Sequence, residues 1–124
     1  MTRTRQTKTA PQLRPRIKVW LETDGRYAFG FGMSEILRAI EEQGSIKQAA
    51  AALGKSYRYV WGRLKEAERA LGQQLVETHV GGKGSERSFL TPAAHQLVKH
   101  FLELRRRVMK VADREFRQRF QHTS

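Results

Sequence analysis

The sequence predicts a mainly α-helical domain with small β elements, arranged as a winged helix-turn-helix with an N-terminal hairpin and a long C-terminal helix. Three observations predict this fold class. Alternating apolar residues around an Asp-Gly pair precede the helices, two short helical segments follow with a tight turn between them, and a glycine-rich loop between two short strands leads into a long amphipathic segment. At 124 residues, the chain has room for one domain.

The chain begins with a predicted basic disordered arm at residues 1–15. This segment contains arginine, lysine, threonine, glutamine and two prolines, with no acidic residue and too few apolar side chains to fill a core. Regular patterns begin after it. A folded domain is therefore expected over residues 16–98, with a long helix over residues 91–120.

The first regular elements are a hairpin and a helix. From Ile17 the apolar residues alternate, and Asp24 and Gly25 are residue types that adopt the positive φ angles of a type I′ turn. Apolar residues at helical spacing follow, which predicts a first helix from about residue 33 to 43. Gly44 is placed to end that helix.

Residues 45–72 predict a helix-turn-helix. Ser45 and Ser56 are placed to cap a short helix and a longer one, and Gly54 and Gly72 are placed to end them. Small alanines at the expected crossing allow the two helices to approach closely. The residues of the second helix that are expected to face the core are Val60, Trp61, Leu64, either Ala67 or Glu68, and Leu71.

The second helix of this motif is expected to present its N-terminal half to the major groove of DNA, where its side chains can reach base edges and phosphates. Gly62 lies on the same projecting side. Helix pairs of this kind also occur in helical domains that never bind DNA, so the motif alone leaves that alternative open. The predicted contact residues in and before this helix are Lys47, Gln48, Lys55, Ser56, Tyr57, Arg58, Tyr59 and Arg63.

A strand, a glycine-rich polar loop and a second strand predict a wing over residues 75–91. Lys83 and Arg87 in this region are expected to contact phosphates or the minor groove beside the second helix. A nucleotide-binding loop is not expected here, because Lys83 is followed by glycine rather than by serine or threonine.

The long helix is predicted to begin with Thr91 as its cap and Pro92 as its first residue. Its apolar residues recur at spacings of four and three, as in a coiled-coil seam. Because so long a helix overhangs so small a domain, the seam is predicted to form a homodimer contact through Leu97, Phe101, Leu104 and Val108. The alternative is that Leu97 and Phe101 pack inside the domain and the rest of the helix frays.

Charge and composition narrow the classes of function. There are 24 Lys and Arg residues against 12 Asp and Glu, and the net charge of +12 indicates a polyanionic partner such as double-stranded DNA. The four histidines lack the spacing of a metal site and there is no cysteine, so no catalytic residue, metal site or cofactor is expected. With no apolar run of about 18 residues and no signal peptide, a cytoplasmic location is expected.

The segment from about Lys18 to Val98 resembles the N-terminal DNA-binding domain of the ModE family of molybdate-responsive transcriptional regulators. The motifs that carry the resemblance are Gly44-Ser45-Ile46, Ser56-Tyr57-Arg58 with Trp61, Leu75-Val76-Glu77, Gly81-Gly82-Lys83-Gly84 and Leu90-Thr91. Two stretches are also similar to the winged helices of LysR-type regulators: Ala49-Ala50 to Leu53-Gly54, and Leu90-Thr91-Pro92-Ala93. The resemblance implies a recognition helix in the major groove, a flanking wing, and dimerisation through the last helix together with N-terminal elements.

The resemblance does not reach the molybdate-binding domains of that family, so no molybdate site is expected in this chain. The residues and the resemblance together predict a sequence-specific DNA-binding transcriptional regulator that acts as a dimer on an inverted repeat. Two alternatives stay open. One is a nonspecific architectural protein of the nucleoid type, and the other is a protein-interaction module that uses the long helix.

Overall fold

The computed structural model describes residues 11–81 and 86–121. Within these residues the chain forms two antiparallel hairpins and four α-helices, and its mainly helical class is confirmed. The elements in chain order are β1 (Trp20–Thr23), β2 (Arg26–Gly30), α1 (Phe31–Gln43), α2 (Ile46–Leu53), α3 (Tyr57–Leu71), β3 (Val76–Val80), β4 (Glu86–Leu90), α4 (Pro92–Phe116) and a π-helical turn (Arg117–Gln121).

The N-terminal hairpin turns where the sequence predicts. Asp24 and Gly25 have φ angles of 50° and 74°, in the left-handed region that a tight hairpin turn requires. The side-chain hydroxyl of Thr23 donates a hydrogen bond of 3.1 Å to the carbonyl oxygen of Ala70. This contact anchors the hairpin to the C-terminal end of α3.

The predicted cap residues begin α2 and α3. The hydroxyl of Ser45 accepts a hydrogen bond from the backbone N–H of Gln48, and the hydroxyl of Ser56 accepts one from Tyr59, both at 3.0 Å. The first helix, α1, starts two residues earlier than predicted, because the extended backbone of Gly30 leads directly into it. Left-handed glycines end the first three helices: Gly44, Gly54 and Gly72.

The hydrophobic core lies between α1, the α2–α3 pair, the wing strands and the first turns of α4. Phe29 and Phe101 are the largest of the fully buried side chains, and their rings meet edge to face with centroids 5.3 Å apart. From α3, the buried residues are Val60, Leu64 and Ala67.

Trp61 does not face this core, so that prediction is wrong. Its side chain is 44% exposed, because each step along a helix turns about 100° and Val60, Leu64 and Ala67 already form the buried stripe. The ammonium group of Lys65 lies 5.6 Å from the centre of the indole ring.

The Trp61→Ala variant should therefore stay folded, with a loss of about 1 kcal/mol in the free energy of unfolding. The matched control is Phe101→Ala, which removes a fully buried ring and should cost about 3 to 5 kcal/mol. Thermal denaturation followed by circular dichroism measures both changes. Equal losses in the two variants would contradict the surface position of Trp61.

The wing strands are attached to the helix-turn-helix at both edges. The carboxylate of Glu68 accepts hydrogen bonds from the backbone N–H groups of Leu75 and Val76, at 2.7 and 3.2 Å. From β4, the N–H of Ser88 donates a bond of 2.8 Å to the carbonyl of Gly44, in the turn between α1 and α2. The wing is thereby held in a defined position beside α3.

The long helix α4 begins at the predicted cap. The hydroxyl of Thr91 accepts a hydrogen bond from the N–H of Ala94 and donates one to the carbonyl of Gln74. At about 1.5 Å per residue, α4 is roughly 38 Å long. Its described buried residues are Ala94, Val98 and Phe101, so its later turns extend beyond the core. None of the helices in the described ranges combines the length and apolarity needed to cross a membrane.

The predicted arm falls partly outside the described residues, which start at Pro11. Residues 11–15 form neither helix nor strand. They line a groove together with Phe116 and Phe120, so this part of the chain lies beside the end of α4.

Candidate nucleic-acid interface

The solvent-facing side of α3 is the centre of the candidate interface. At its N-terminal turn Tyr57 and Tyr59 are 52% and 43% exposed, and Arg58 between them is exposed as well. Arg58 and Gly62, four positions apart, lie on the side of α3 opposite Val60. The helix therefore presents basic and aromatic side chains to solvent while its apolar stripe packs on the core.

Tyr59 is held in place by two cations. The guanidinium of Arg63 donates a hydrogen bond of 3.1 Å to the Tyr59 hydroxyl and lies 5.8 Å from the ring centres of both Tyr59 and Tyr27. On the other side, the ammonium of Lys55 lies 5.4 Å from the Tyr59 ring centre. Arg63 thus links α3 to the N-terminal hairpin and orients Tyr59.

The start of α2 places further predicted residues on the surface. Lys47 and Gln48 are both exposed in the first turn of this helix. Ser56, predicted as a contact residue, uses its hydroxyl to cap α3. Exposed backbone and side-chain donors at the beginnings of α2 and α3 suit contacts with phosphate oxygens.

Arg87 lies on the face of the wing next to the helix-turn-helix. In β4 it pairs with His79 of β3. Its guanidinium lies 3.6 Å from the position that a Cβ on Gly44 would occupy, and 5.8 Å from the centre of the Phe89 ring. It is exposed near the turn between α1 and α2. Lys83, the other predicted wing contact, falls outside the described residues.

Three consecutive arginines on α4 are held by neighbouring groups. The carboxylate of Glu103 accepts hydrogen bonds from Arg106 at 2.6 Å and Arg107 at 2.8 Å. These two hydrogen bonds lower the pKa of Glu103 to about 2, and the bond from Arg106 has the larger effect. The guanidinium of Arg105 stacks on the ring of Phe31 in α1, 4.1 Å from its centre.

The predicted dimer residues divide into two groups. Phe101 is 1% exposed and belongs to the core of the protomer, and Leu97 packs partly against that core. Phe101 is therefore corrected from a dimer contact to a core residue, because the Phe29 ring already covers it. Further along the helix, Leu104 is 42% exposed and Val108 is half-buried.

Val111 continues the predicted seam one heptad after Leu104, although the predicted dimer contact ended at Val108. Its side chain is 46% exposed. The seven-residue spacing in the sequence indicates this contact, since residues one heptad apart lie on one side of a helix. Among residues 11–81 and 86–121, no three histidine, aspartate or glutamate side chains come together as a metal-binding group.

Two packed helices with a basic and aromatic outer face, a wing beside them and a long final helix define the class of winged helix-turn-helix DNA-binding proteins. Residues 33–95 match the bacterial regulatory helix-turn-helix protein, lysR family. This match covers just over half of the chain, and the chain belongs to that family. The predicted class of function, a DNA-binding transcriptional regulator, is confirmed at the level of the family.

One relative agrees with the resemblance found in the sequence. Over 80 residues, which are 64% of this chain, the sequence is 40% identical to the molybdenum transport protein ModE of Herbaspirillum seropedicae. The matched stretch is 30% of the length of that relative. The family resemblance is therefore confirmed for the N-terminal part of ModE.

Solved structures of DNA-binding domains share the fold. The BenM domain in complex with benA site 1 DNA matches 73% of this chain and 97% of its own, with a TM-score of 0.54 and 23% identity. The CbnR domain in complex with DNA matches 70% of this chain and 94% of its own, with a TM-score of 0.53 and 23% identity. The likeness confirms the predicted winged helix-turn-helix fold.

Proposed function

We propose that this chain binds an inverted repeat in double-stranded DNA as a symmetric dimer, with α3 in the major groove and the wing on its flank. The observation that carries the proposal is the exposed N-terminal half of α3, with Tyr57, Arg58 and Tyr59 beside Lys55. An arginine there can pair with the two acceptors of guanine, and the rings can contact thymine methyl groups. The relatives BenM and CbnR, whose domains are seen with DNA, support this partner.

Contacts with the phosphate backbone come from the elements around α3. Lys47 and Gln48 stand at the start of α2, where the helix dipole also favours an anion. Arg87 and Lys83 of the wing and the arginines of the N-terminal arm add affinity with little sequence choice. Together they hold α3 in register on the duplex.

The dimer uses the exposed seam of α4. Leu104 and Val111 are large apolar side chains open to water on the part of the helix that extends beyond the core, and a second copy covers them with the same residues about a two-fold axis. The arginines beside the seam make contacts within their own protomer, and Glu103 offsets part of their charge. Arg106 and Arg107 bond to Glu103, while Arg105 stacks on α1.

Symmetric pairing places two copies of α3 on one side of the duplex. Half-sites centred about one helical turn apart, or a multiple of it, match this arrangement. Because a bacterial chromosome lies in the cytoplasm, that is the location we propose for this regulator.

The proposed function is tested by comparing one selected operator with random DNA. Duplexes bound by the full chain are enriched from a random pool, and affinities for the best duplex and for a scrambled one are measured at the same salt concentration. The selected duplex should bind about a thousandfold more tightly or better, and its sequence should be an inverted repeat. A ratio near one would favour the architectural alternative instead.

A further inference from the structure

Gly62 lies in the middle of α3, and nothing inside the protein requires glycine there. Apart from its two chain neighbours and the backbone of its own helix, a Cβ built on Gly62 would meet no atom within 4 Å, and its φ angle lies outside the left-handed range that favours glycine. Glycine in the middle of a helix lowers its stability relative to alanine. The chain therefore carries a destabilising residue that neither packing nor backbone geometry explains.

The surroundings of Gly62 make it a notch in the outer face of α3. Residues three and four positions away are its neighbours on the helix surface, and they are Arg58 and Tyr59 on one side and Lys65 and Glu66 on the other. All four have longer side chains. The backbone of α3 is thus open to an approaching group at Gly62, between Arg58 and the anchored Tyr59 ring.

The chemistry of this notch limits what can enter it. In the middle of a helix the backbone N–H and C=O groups are already paired with one another, so Gly62 offers neither a donor nor an acceptor. A polar atom of a base pressed against it would lose its hydrogen bonds to water without replacement. On the major-groove edge, the thymine methyl group is the apolar group that projects furthest into the groove, and it needs no such partner.

We propose that Gly62 is a specificity-determining residue, at which a thymine methyl group of each operator half-site contacts the backbone of α3 beside the Tyr59 ring. The inference rests on the proposed function, because it takes α3 to lie in the major groove. It adds to that function the recognition of a thymine in each half-site, which can approach α3 because Gly62 has no side chain.

The first test replaces Gly62 by alanine. The variant should be more stable, with Tm raised by about 4 °C, because alanine favours the helix and meets no obstacle. Its affinity for the selected operator should fall about tenfold, as for a mismatched base pair, with affinity for random duplex unchanged. A higher Tm together with a lower operator affinity would show that the variant has lost a contact with DNA and that its fold is intact.

Gly32 supplies the matched control. It lies in α1, is exposed, and has open space around its Cβ position, as Gly62 has. The Gly32→Ala variant should keep the operator affinity of the wild type. An equal loss in both variants would overturn the assignment to Gly62.

The second test identifies the base. Each thymine of the operator is replaced in turn by deoxyuridine, which lacks only the methyl group. At one position in each half-site, this replacement should lower the affinity of the wild type about fourfold, which corresponds to the free energy of burying one methyl group. The Gly62→Ala variant should bind the operator with deoxyuridine at that position more tightly than the operator with thymine. The reason is that the methyl group of alanine occupies the space that the thymine methyl group has left.

Two results would overturn the inference alone. One is a Gly62→Ala variant that binds the operator as tightly as the wild type, and the other is the absence of any position where deoxyuridine restores its affinity. A wild type without preference for any selected duplex would overturn the proposed function, and this inference with it.

Discussion

The double variant Leu104→Asp, Val111→Asp should be a monomer, and its affinity for the operator should fall about a thousandfold, to the level of nonspecific binding. Both side chains are large, apolar and more than two-fifths exposed on the part of α4 that extends beyond the core. In a symmetric dimer they meet their copies, and four carboxylates brought together away from water oppose the contact strongly. The fold should survive, because neither side chain belongs to the core.

The matched control for this variant is Lys110→Asp, which changes the net charge of each chain by the same two units. Lys110 is exposed and lies about 100° around the helix from Val111, so this variant should stay dimeric. Light scattering at micromolar concentration measures the mass of each protein, and circular dichroism reports its helix content. A monomeric wild type, or a double variant that is still a dimer, would contradict the proposed interface.

The variant Arg58→Ala should lose operator preference by about thirtyfold, while its affinity for random duplex changes far less. Arg58 is exposed in the first turn of α3, where a guanidinium can form two hydrogen bonds with one guanine. An alanine removes those bonds but keeps the helix, so Tm should stay close to the wild-type value. Titration of both duplexes at one salt concentration gives the preference.

Arg69→Ala is the control for charge. Arg69 is exposed on the same side of α3 but three turns further along. There α3 ends beside the N-terminal hairpin, away from the N-terminal half that is proposed to enter the major groove. Its loss removes the same charge and should leave the preference intact. A well-folded Arg58→Ala protein with unchanged preference would place the reading surface elsewhere on the molecule.

Local patterns in the sequence were enough to predict the elements and most of their ends. The caps at Ser45, Ser56 and Thr91 and the turn at Asp24 and Gly25 each depend on residues no more than three positions apart. The order of these elements was in turn enough to predict the winged helix-turn-helix, since short connections leave few ways to pack them.

The rotation of α3 and the partner of each apolar side chain of α4 were decided only by the tertiary structure. A run such as Val60-Trp61 contains two adjacent apolar residues, and spacing alone does not say which one the core receives. Likewise, a heptad pattern through Phe101 and Leu104 is compatible with a seam or a core stripe. Phe29, brought from more than seventy residues away, covers Phe101 and leaves Leu104 open. Such choices depend on contacts between distant parts of the chain, which a local pattern does not contain.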